Sequence, residues 1–219
     1  MNAAADLLSR YPFLHDSNAV LLAEIESSNR RKAEEILTLR EQVLREFAPS
    51  LAVCAASVAD RLTQSGRLLT FGNGGSSMDA HAVEQIFSEP PSGKALRATS
   101  LRMDAAALTA LANDVGFDEV FARQIAALGR PSDVALGLST SGGSVNVLKG
   151  FDEASRLGLL TIGFAGYDGG RMAESSAIDF LFVIPSSSVH RIQEAQTTLY
   201  QALWRLAQAA AASRLATRG

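Results

Sequence analysis

Apolar and polar positions follow two different spacings along this chain, and each spacing predicts a different kind of element. Short, nearly continuous apolar runs at 67–71, 96–101, 134–138, 159–164 and 180–184 are typical of buried strands. Between the runs, apolar residues recur every three or four positions, as they do in helices that cover a sheet. Strands that alternate with helices in this way predict an α/β protein, a three-layer α/β/α sandwich around a mostly parallel five-stranded sheet.

The chain begins with helical patterns before the first strand. A narrow apolar stripe over residues 18–47 has helical spacing, and it suits packing on another helix, such as one from a partner chain, better than packing on a sheet. Pro49 predicts a break, and residues 51–62 predict a second helix. The two helices are therefore expected to form an N-terminal helical hairpin.

Three segments follow from this order of elements. Residues 1–66 form a helical segment for oligomer packing within the same domain, residues 67–213 form the α/β domain that carries the binding site, and residues 214–219 form a tail. A chain of 219 residues with 47% apolar and 20% charged residues can fill one core, which excludes a disordered chain.

Charge and cysteine content narrow the classes of partner. A net charge of −3 gives no electrostatic reason to expect nucleic acid. The single cysteine, Cys54, cannot form an intramolecular disulfide and fits a reducing compartment. The first residues lack a signal-peptide pattern, and no apolar run reaches the ~18 residues of a membrane span. We therefore expect a cytoplasmic protein without a nucleic-acid or membrane partner.

The most informative stretch is the turn that follows the apolar run at 134–138. Gly142 and Gly143 allow a close backbone approach there, and an amphipathic helix begins at Val145. Unpaired N–H groups at a helix N-terminus suit a phosphate or carboxylate, although Ser and Thr are also ordinary helix caps. Four hydroxyls could act as neutral donors to such an anion: Ser139, Thr140, Ser141 and Ser144.

A second turn of similar composition, residues 72–76, follows the run at 67–71. Its glycine spacing matches neither the Walker pattern nor the dinucleotide fingerprint, which makes ATP and NAD poor candidates. Because both turns follow parallel strands, we expect them to converge on one site where the chain order reverses. Small neutral donors around one anion suit a sugar phosphate.

These turns and four further motifs make the chain resemble the sugar isomerase (SIS) family. Within it, the resemblance is to sedoheptulose 7-phosphate (phosphoheptose) isomerases and to their non-enzymatic relative, the replication-initiator-associating protein. It implies the SIS fold and a homotetramer with sites between subunits. The motifs lie at 71–76, 112–117, 121–124, 139–144, 167–170 and 191–194.

The resemblance also implies roles for individual residues. Asp104 is equally suited to cap the helix that follows it, and Gln193 could instead be a solvated helix residue. The implied phosphate ligands are Ser76, Ser139, Thr140, Ser141 and Ser144. The implied sugar contacts are Asn73, Gly74, Asp104 and Gln193.

The chain departs from the family where the resemblance implies a divalent metal. The family pattern has a His and a Glu four residues apart and a Gln and a His eight residues apart. Here these positions hold Ala82 and Ile86, and Gln193 and Gln201. Alanine and isoleucine cannot ligate a metal or carry a proton, and an amide does neither well. We therefore expect no cofactor and no metal site.

Two other residues are candidates for the catalytic base. His81 precedes Ala82, but one residue along a helix is a rotation of about 100°, which should turn it away from the ligand position. Glu194 lies near the site, although an acid in the first turn of a helix is also favoured by the helix dipole.

We interpret the sequence as a phosphosugar-binding protein that has lost the family's acid–base pair and acts as a sensor or adaptor for a protein partner. The alternative is an active phosphoheptose isomerase, which interconverts the ketose and aldose forms of sedoheptulose 7-phosphate with non-standard residues. A structural protein with an empty site is the third class. Retained hydroxyl turns favour the first two.

Overall fold

The computed structural model describes residues 18–102 and 104–216. The chain comprises two compact units, Met1–Glu41 and Gln42–Gly219. In chain order the elements are α1 (Asn18–Thr63), β1 (Leu68–Gly72), α2 (Gly75–Ser88), β2 (Ala98–Ser100), α3 (Ala105–Asp114), a 3-10 turn (Phe117–Glu119), α4 (Val120–Leu128), β3 (Val134–Ser139), α5 (Val145–Arg156), β4 (Leu160–Gly166), α6 (Gly170–Ala173), β5 (Phe180–Ile184) and α7 (Val189–Ala216).

The sheet confirms the predicted fold class. Its five strands lie in the order β2-β1-β3-β4-β5, and every neighbouring pair is parallel. All residues of β1, β3 and β4 are buried, which explains why these strands are apolar throughout instead of alternating. Because β2 lies on one side of β1 and β3 on the other, the chain order reverses between β1 and β3. Ligands of parallel sheets bind beyond the carboxyl ends of the strands at such a point.

Aromatic packing fixes β1 against the helices that cover it. The ring of Phe71 lies 5.3 Å from that of Phe121 on α4 and 5.2 Å from that of Phe151 on α5, between ring centroids. Gly150 permits this approach, since a Cβ there would lie 3.0 Å from the Phe71 ring. The carboxyl end of β1 and the start of α5 therefore keep a fixed relationship.

The predicted break at Pro49 is wrong, because α1 continues through this residue to Thr63. A proline removes one helical N–H donor and leaves the carbonyl four residues earlier, that of Arg45, without its usual partner. Both Arg45 and Pro49 are exposed, so water can reach this carbonyl. Residues 42–63 therefore form one helix instead of parts of a hairpin.

Two elements begin at or directly after a glycine. The 3-10 turn that precedes α4 follows Gly116, which has a φ of 112°, outside helical geometry. The helix α6 begins at Gly170, directly after the turn that follows β4. The conformational freedom of glycine makes the start of such elements hard to predict from sequence.

In the first unit, residues 18–41 are helical, and the large apolar side chains of Leu21, Leu22, Ile25 and Leu37 are exposed. The predicted segment boundary at 66/67 stays a prediction. Residues 1–17 of the predicted helical segment and 217–219 of the predicted tail lie outside the described residues. Within 18–102 and 104–216, no helix combines the length and apolar character needed to cross a bilayer.

Candidate functional site

The two predicted turns lie side by side at the carboxyl ends of β1 and β3, which pair from Leu68 with Val134 to Gly72 with Leu138. The side-chain amides of Asn73 and Asn146 join them by two hydrogen bonds. Asn73 Nδ2 donates to Asn146 Oδ1 at 2.8 Å, and Asn146 Nδ2 donates to Asn73 Oδ1 at 2.9 Å. The first turn is therefore attached to the first residues of α5.

The first turn requires glycine at two positions. A Cβ on Gly72 would lie 2.8 Å from the carbonyl oxygens of Leu138 and Ser76, and Gly74 has a φ of 53°, which favours glycine. Gly74 is the N-cap of α2 and provides no capping side chain. Ser76 is buried one residue into the helix. The start of α2 thus presents backbone donors without a side-chain cap.

The hydroxyls of the second turn face one another. Ser139 Oγ lies 3.0 Å from Ser144 Oγ and 3.4 Å from Ser141 Oγ, and Ser141 Oγ accepts from the Gly143 N–H at 3.2 Å. Ser144 is the N-cap residue of α5, yet its side chain makes no capping hydrogen bond. Three of the hydroxyls predicted to bind phosphate, those of Ser139, Ser141 and Ser144, are therefore clustered at a helix start without a side-chain cap.

The turn after β4 supports the second turn from behind. Gly142 has a φ of 62°, and a Cβ there would lie 1.9 Å from the carbonyl oxygen of Gly169. The N–H of Gly166 donates to the Thr140 carbonyl at 3.0 Å, and the N–H of Met172 donates to the Gly142 carbonyl at 2.9 Å. This contact gives the motif at 167–170 a structural role.

The last helix reaches the first turn through Gln193. Its Nε2 donates to Asp79 Oδ2 at 2.9 Å, and the amide lies so close to Gly75 that a Cβ there would be 2.6 Å from Nε2. Burial raises the pKa of Asp79, and the hydrogen bond from Gln193 opposes this. Gln193 is therefore a packed and hydrogen-bonded residue, and Asp79 places a carboxylate one helical turn from Gly75.

The two candidate bases lie in different surroundings. His81 Nδ1 lies 2.7 Å from Glu84 Oε2, and both side chains are half-buried on α2. No irregularity interrupts α2 between Gly75 and Ser88, so nothing turns His81 towards the position of Ala82. Glu194 is exposed on α7.

The residues at the family's metal positions do not provide a ligand set. Ala82 and Ile86 carry no donor atom, and Gln201 is exposed on α7. Within the part of the chain that the structure describes, no three His, Cys, Asp or Glu side chains are grouped so that they could hold an ion. The donor chemistry of these positions does not fit a divalent metal.

Asp104 caps a helix, as one of its two interpretations predicted. Its Oδ1 accepts from the N–H of Ala107 at 2.9 Å at the start of α3. The second carboxylate oxygen is not used by this cap, and the sugar contact implied by the resemblance stays a prediction.

A cavity of about 310 Å³ opens beside the first turn, on the side towards β2. Arg102 is the cation in its wall and extends from the residue after Leu101. The hydroxyls of the second turn and Gln193 are not among the wall residues. The lining comprises Gly72, Asn73, Gly74, Ser77, Leu101, Arg102, Leu108, Phe117, Val120, Phe121 and Gln124.

Three residues of this region were not predicted from the sequence, although each has a sequence feature that marks it. Asn146 lies four positions before Gly150 on the buried face of α5, an unusual place for an amide. Asp79 is spaced three from Ser76 and four from Val83, both buried on α2. Arg102 follows directly after a predicted strand, where parallel sheets place their functional side chains.

Comparison with known sequences identifies the protein family to which this chain is similar. A sequence model described as the SIS domain matches residues 33–166. The phosphoheptose isomerase of Paramagnetospirillum magneticum is 43% identical over 188 residues, which cover 80% of this chain and 97% of that protein. The phosphoheptose isomerase of Thermodesulfovibrio yellowstonii is 38% identical over 187 residues, which cover 84% of this chain and 92% of that protein.

Solved structures agree with these relatives. Phosphoheptose isomerase GmhA from Neisseria gonorrhoeae superposes with a TM-score of 0.73 at 34% identity, covering 84% of this chain and 97% of that one. A phosphoheptose isomerase from Francisella tularensis superposes with a TM-score of 0.77 at 28% identity, covering 85% of this chain and 97% of that one.

Proposed function

Since the chain belongs to the SIS domain family and covers more than nine-tenths of the two phosphoheptose isomerase sequences compared above, we propose that it binds a phosphosugar and catalyses an aldose–ketose isomerisation. Sedoheptulose 7-phosphate is the proposed substrate. One observation carries the proposal: two glycine- and serine-rich turns, each opening a helix without a side-chain cap, are joined by the Asn73–Asn146 pair.

The phosphoryl group is proposed to bind at the second turn. The Ser139 hydroxyl lies 3.0 Å from that of Ser144 and 3.4 Å from that of Ser141, and together with Thr140 these groups are proposed as donors beside the start of α5. Helix N-termini bind phosphate because their free N–H groups and dipole favour negative charge. Ser76 is proposed to add a hydroxyl from the start of α2.

The sugar is proposed to extend towards the first turn. Asn73, Gly74 and Arg102 line the cavity there, and Gln193 lies against Gly75. Amide and backbone groups of this kind recognise hydroxyls by direct hydrogen bonds. Asp104 is proposed to bind a sugar hydroxyl through Oδ2, the carboxylate oxygen that does not take part in the helix cap.

The proposed chemistry needs one base near the first turn. Conversion of the ketose removes a proton from C1, forms an enediol and returns a proton to C2, while a proton moves from the C1 hydroxyl to the carbonyl oxygen. We assign the base to Asp79, because the Gln193 amide holds its carboxylate one helical turn from Gly75. Burial also raises its pKa, which makes the carboxylate more basic than an exposed one. The His81–Glu84 pair is the second candidate, on the same helix.

A specific observation favours a second function, that of a phosphosugar sensor without catalysis. Ala82, Ile86 and Gln201 stand where the resemblance implies the metal ligands and the acid–base pair. The phosphoheptose isomerases described above favour the active enzyme over the sensor. Both functions use the same binding turns and differ only in turnover.

The test measures binding and turnover on the same purified chain. Sedoheptulose 7-phosphate is added in excess, the melting temperature is recorded, and the aldose product is followed by NMR without added metal. We expect stabilisation and product formation, and we expect Asp79→Asn to keep the stabilisation and lose about 100-fold or more of the rate. Stabilisation without product would support the sensor. If sedoheptulose 7-phosphate gave neither stabilisation nor product, both functions would be refuted.

The proposed assembly is a homotetramer, as the resemblance implies. The exposed apolar side chains of Leu21, Leu22 and Ile25 support a helical contact between copies. Light scattering of the full chain and of Leu22→Glu tests this contact. If the Leu22→Glu variant still formed a tetramer, these residues would not belong to the interface.

A further inference from the structure

A second concave site lies at the opposite end of the sheet from the two turns. It has a volume of about 470 Å³ and opens at the amino ends of β1, β2 and β3. β1 has five residues, so this cavity is roughly 15 Å from the first turn. The volume falls in the range of about 300 to 1,000 Å³ that is typical of small-molecule sites.

The wall of this cavity is basic. It contains three arginines, Arg67, Arg97 and Arg130, and one acid, Asp133. Three guanidinium groups against one carboxylate leave an excess of two positive charges, in a protein whose net charge is −3. The serine and threonine hydroxyls in the wall, from Ser65, Ser88 and Thr99, add neutral hydrogen-bonding groups.

Asp133 does not pair with the guanidinium groups of two of the three arginines, Arg97 and Arg130. Its carboxylate is buried and accepts from the N–H of Arg67 at 2.9 Å, from Arg67 Nε at 3.3 Å and from the N–H of Arg130 at 3.0 Å. Arg67 is further occupied by the carbonyl of Leu128. Asp133 therefore holds the backbone of the cavity in place instead of pairing with the guanidinium groups of Arg97 or Arg130.

Arg97 and Arg130 are available to a ligand. Both residues are exposed, and within 18–102 and 104–216 neither guanidinium has a hydrogen-bond or ion-pair partner. The planar fork of a guanidinium matches the oxygens of a phosphoryl group and can donate two parallel hydrogen bonds to it.

From this arrangement we propose that the amino-end cavity binds a small phosphorylated molecule, held by the guanidinium groups of Arg97 and Arg130. Because the cavity is concave and of small-molecule size, we favour a small phosphorylated ligand over the acidic surface of a protein partner. The site is independent of the phosphosugar site, because no residue is shared between the two.

The probe is inorganic pyrophosphate, titrated into the full chain by calorimetry at constant ionic strength. We expect saturable binding that weakens about tenfold or more in the double variant Arg97→Gln, Arg130→Gln, since each change removes hydrogen bonds to a charged group. The side chains of both residues make no described hydrogen bond or ion pair, and their backbone hydrogen bonds are kept in the variant, so the fold should persist, which a melting curve checks.

One control separates this site from a general effect of charge. Arg205→Gln removes an exposed positive charge from α7 and should leave the affinity unchanged. Absence of pyrophosphate binding, equal weakening by Arg205→Gln, or an affinity that the double variant leaves unchanged would each overturn the proposal.

Discussion

The side chains of Asn73 and Asn146 each donate an amide N–H to the other's oxygen, at 2.8 and 2.9 Å, across 73 residues of sequence. Asn146 is buried and Asn73 half-buried, so neither amide can be replaced by water without rearrangement. The pair determines how the start of α5 lies against the first turn.

We expect a strong coupling between these two asparagines. In a double-mutant cycle of Asn73→Ala and Asn146→Ala, each single change leaves the other amide without its partner, and the second change then costs little. The coupling free energy should be about 1 to 3 kcal/mol by urea denaturation. Additive effects of the two changes would show that the amides do not support each other.

Gly142→Ala should destabilise the fold by about 1 to 3 kcal/mol. The residue has a φ of 62°, and the new Cβ would lie 1.9 Å from the Gly169 carbonyl oxygen. Gly143→Ala is the matched control, because the nearest atom to its Cβ is Ser141 Oγ at 3.7 Å. Chemical denaturation of both variants checks the difference, and equal losses would contradict it.

Ser139→Ala with Thr140→Ala should abolish the stabilisation by sedoheptulose 7-phosphate. A ligand at 100 times its Kd adds about 2.7 kcal/mol to the free energy of unfolding, and removing the proposed phosphate donors removes this gain. Ser92→Ala, an exposed serine outside both turns, should respond like the unchanged protein. A thermal shift that survives the double change would place the phosphate elsewhere.

Asp79→Asn should make the fold more stable near neutral pH. Burial raises the folded-state pKa of Asp79, so the folded state favours the protonated carboxyl. This contribution to the free energy of unfolding is complete below the unfolded-state pKa and is lost as pH rises through the folded-state pKa. Asparagine carries no charge at any of these pH values and can still accept from Gln193. Denaturation curves from acidic to neutral pH should therefore diverge as pH rises, and parallel curves would contradict the shift.

Pro49→Ala should raise stability by up to about 3 kcal/mol, because it restores a donor inside a continuous helix. Pro131→Ala provides the control in a loop, where losing proline mainly increases the freedom of the unfolded chain and should lower stability slightly. Guanidinium denaturation compares the two variants. A loss of stability in Pro49→Ala would show that the proline suits the shape of α1.

The sheet could be predicted because its strands are buried on both faces, and such strands have continuous apolar runs that local sequence reveals. The two turns could be placed for a related reason, since Gly72 and Ser139 each directly follow an apolar run. Pro49 could not be judged in this way. Whether a proline ends a helix depends on solvent access to the freed carbonyl, and sequence spacing does not report this.

The side chains that complete the site were harder to predict, because their roles depend on contacts between distant segments. Gln193 could be assigned only by resemblance, and its partner Asp79 lies 114 residues away. The same holds for Asn146, which looks like an ordinary residue in the first turn of a helix until Asn73 is placed beside it. Asp104 shows the converse, since a local pattern was sufficient to predict its cap.

Gly75 carries an implication for anyone who would redesign this protein. With no side chain of its own, it forms the floor on which the Gln193 amide rests, and the smallest addition would come within 2.6 Å of that amide. Positions 75 and 193 consequently have to be varied together in any mutant library. Single-site randomisation at 75 would yield mostly clones in which the Gln193 side chain has moved from its position beside Asp79.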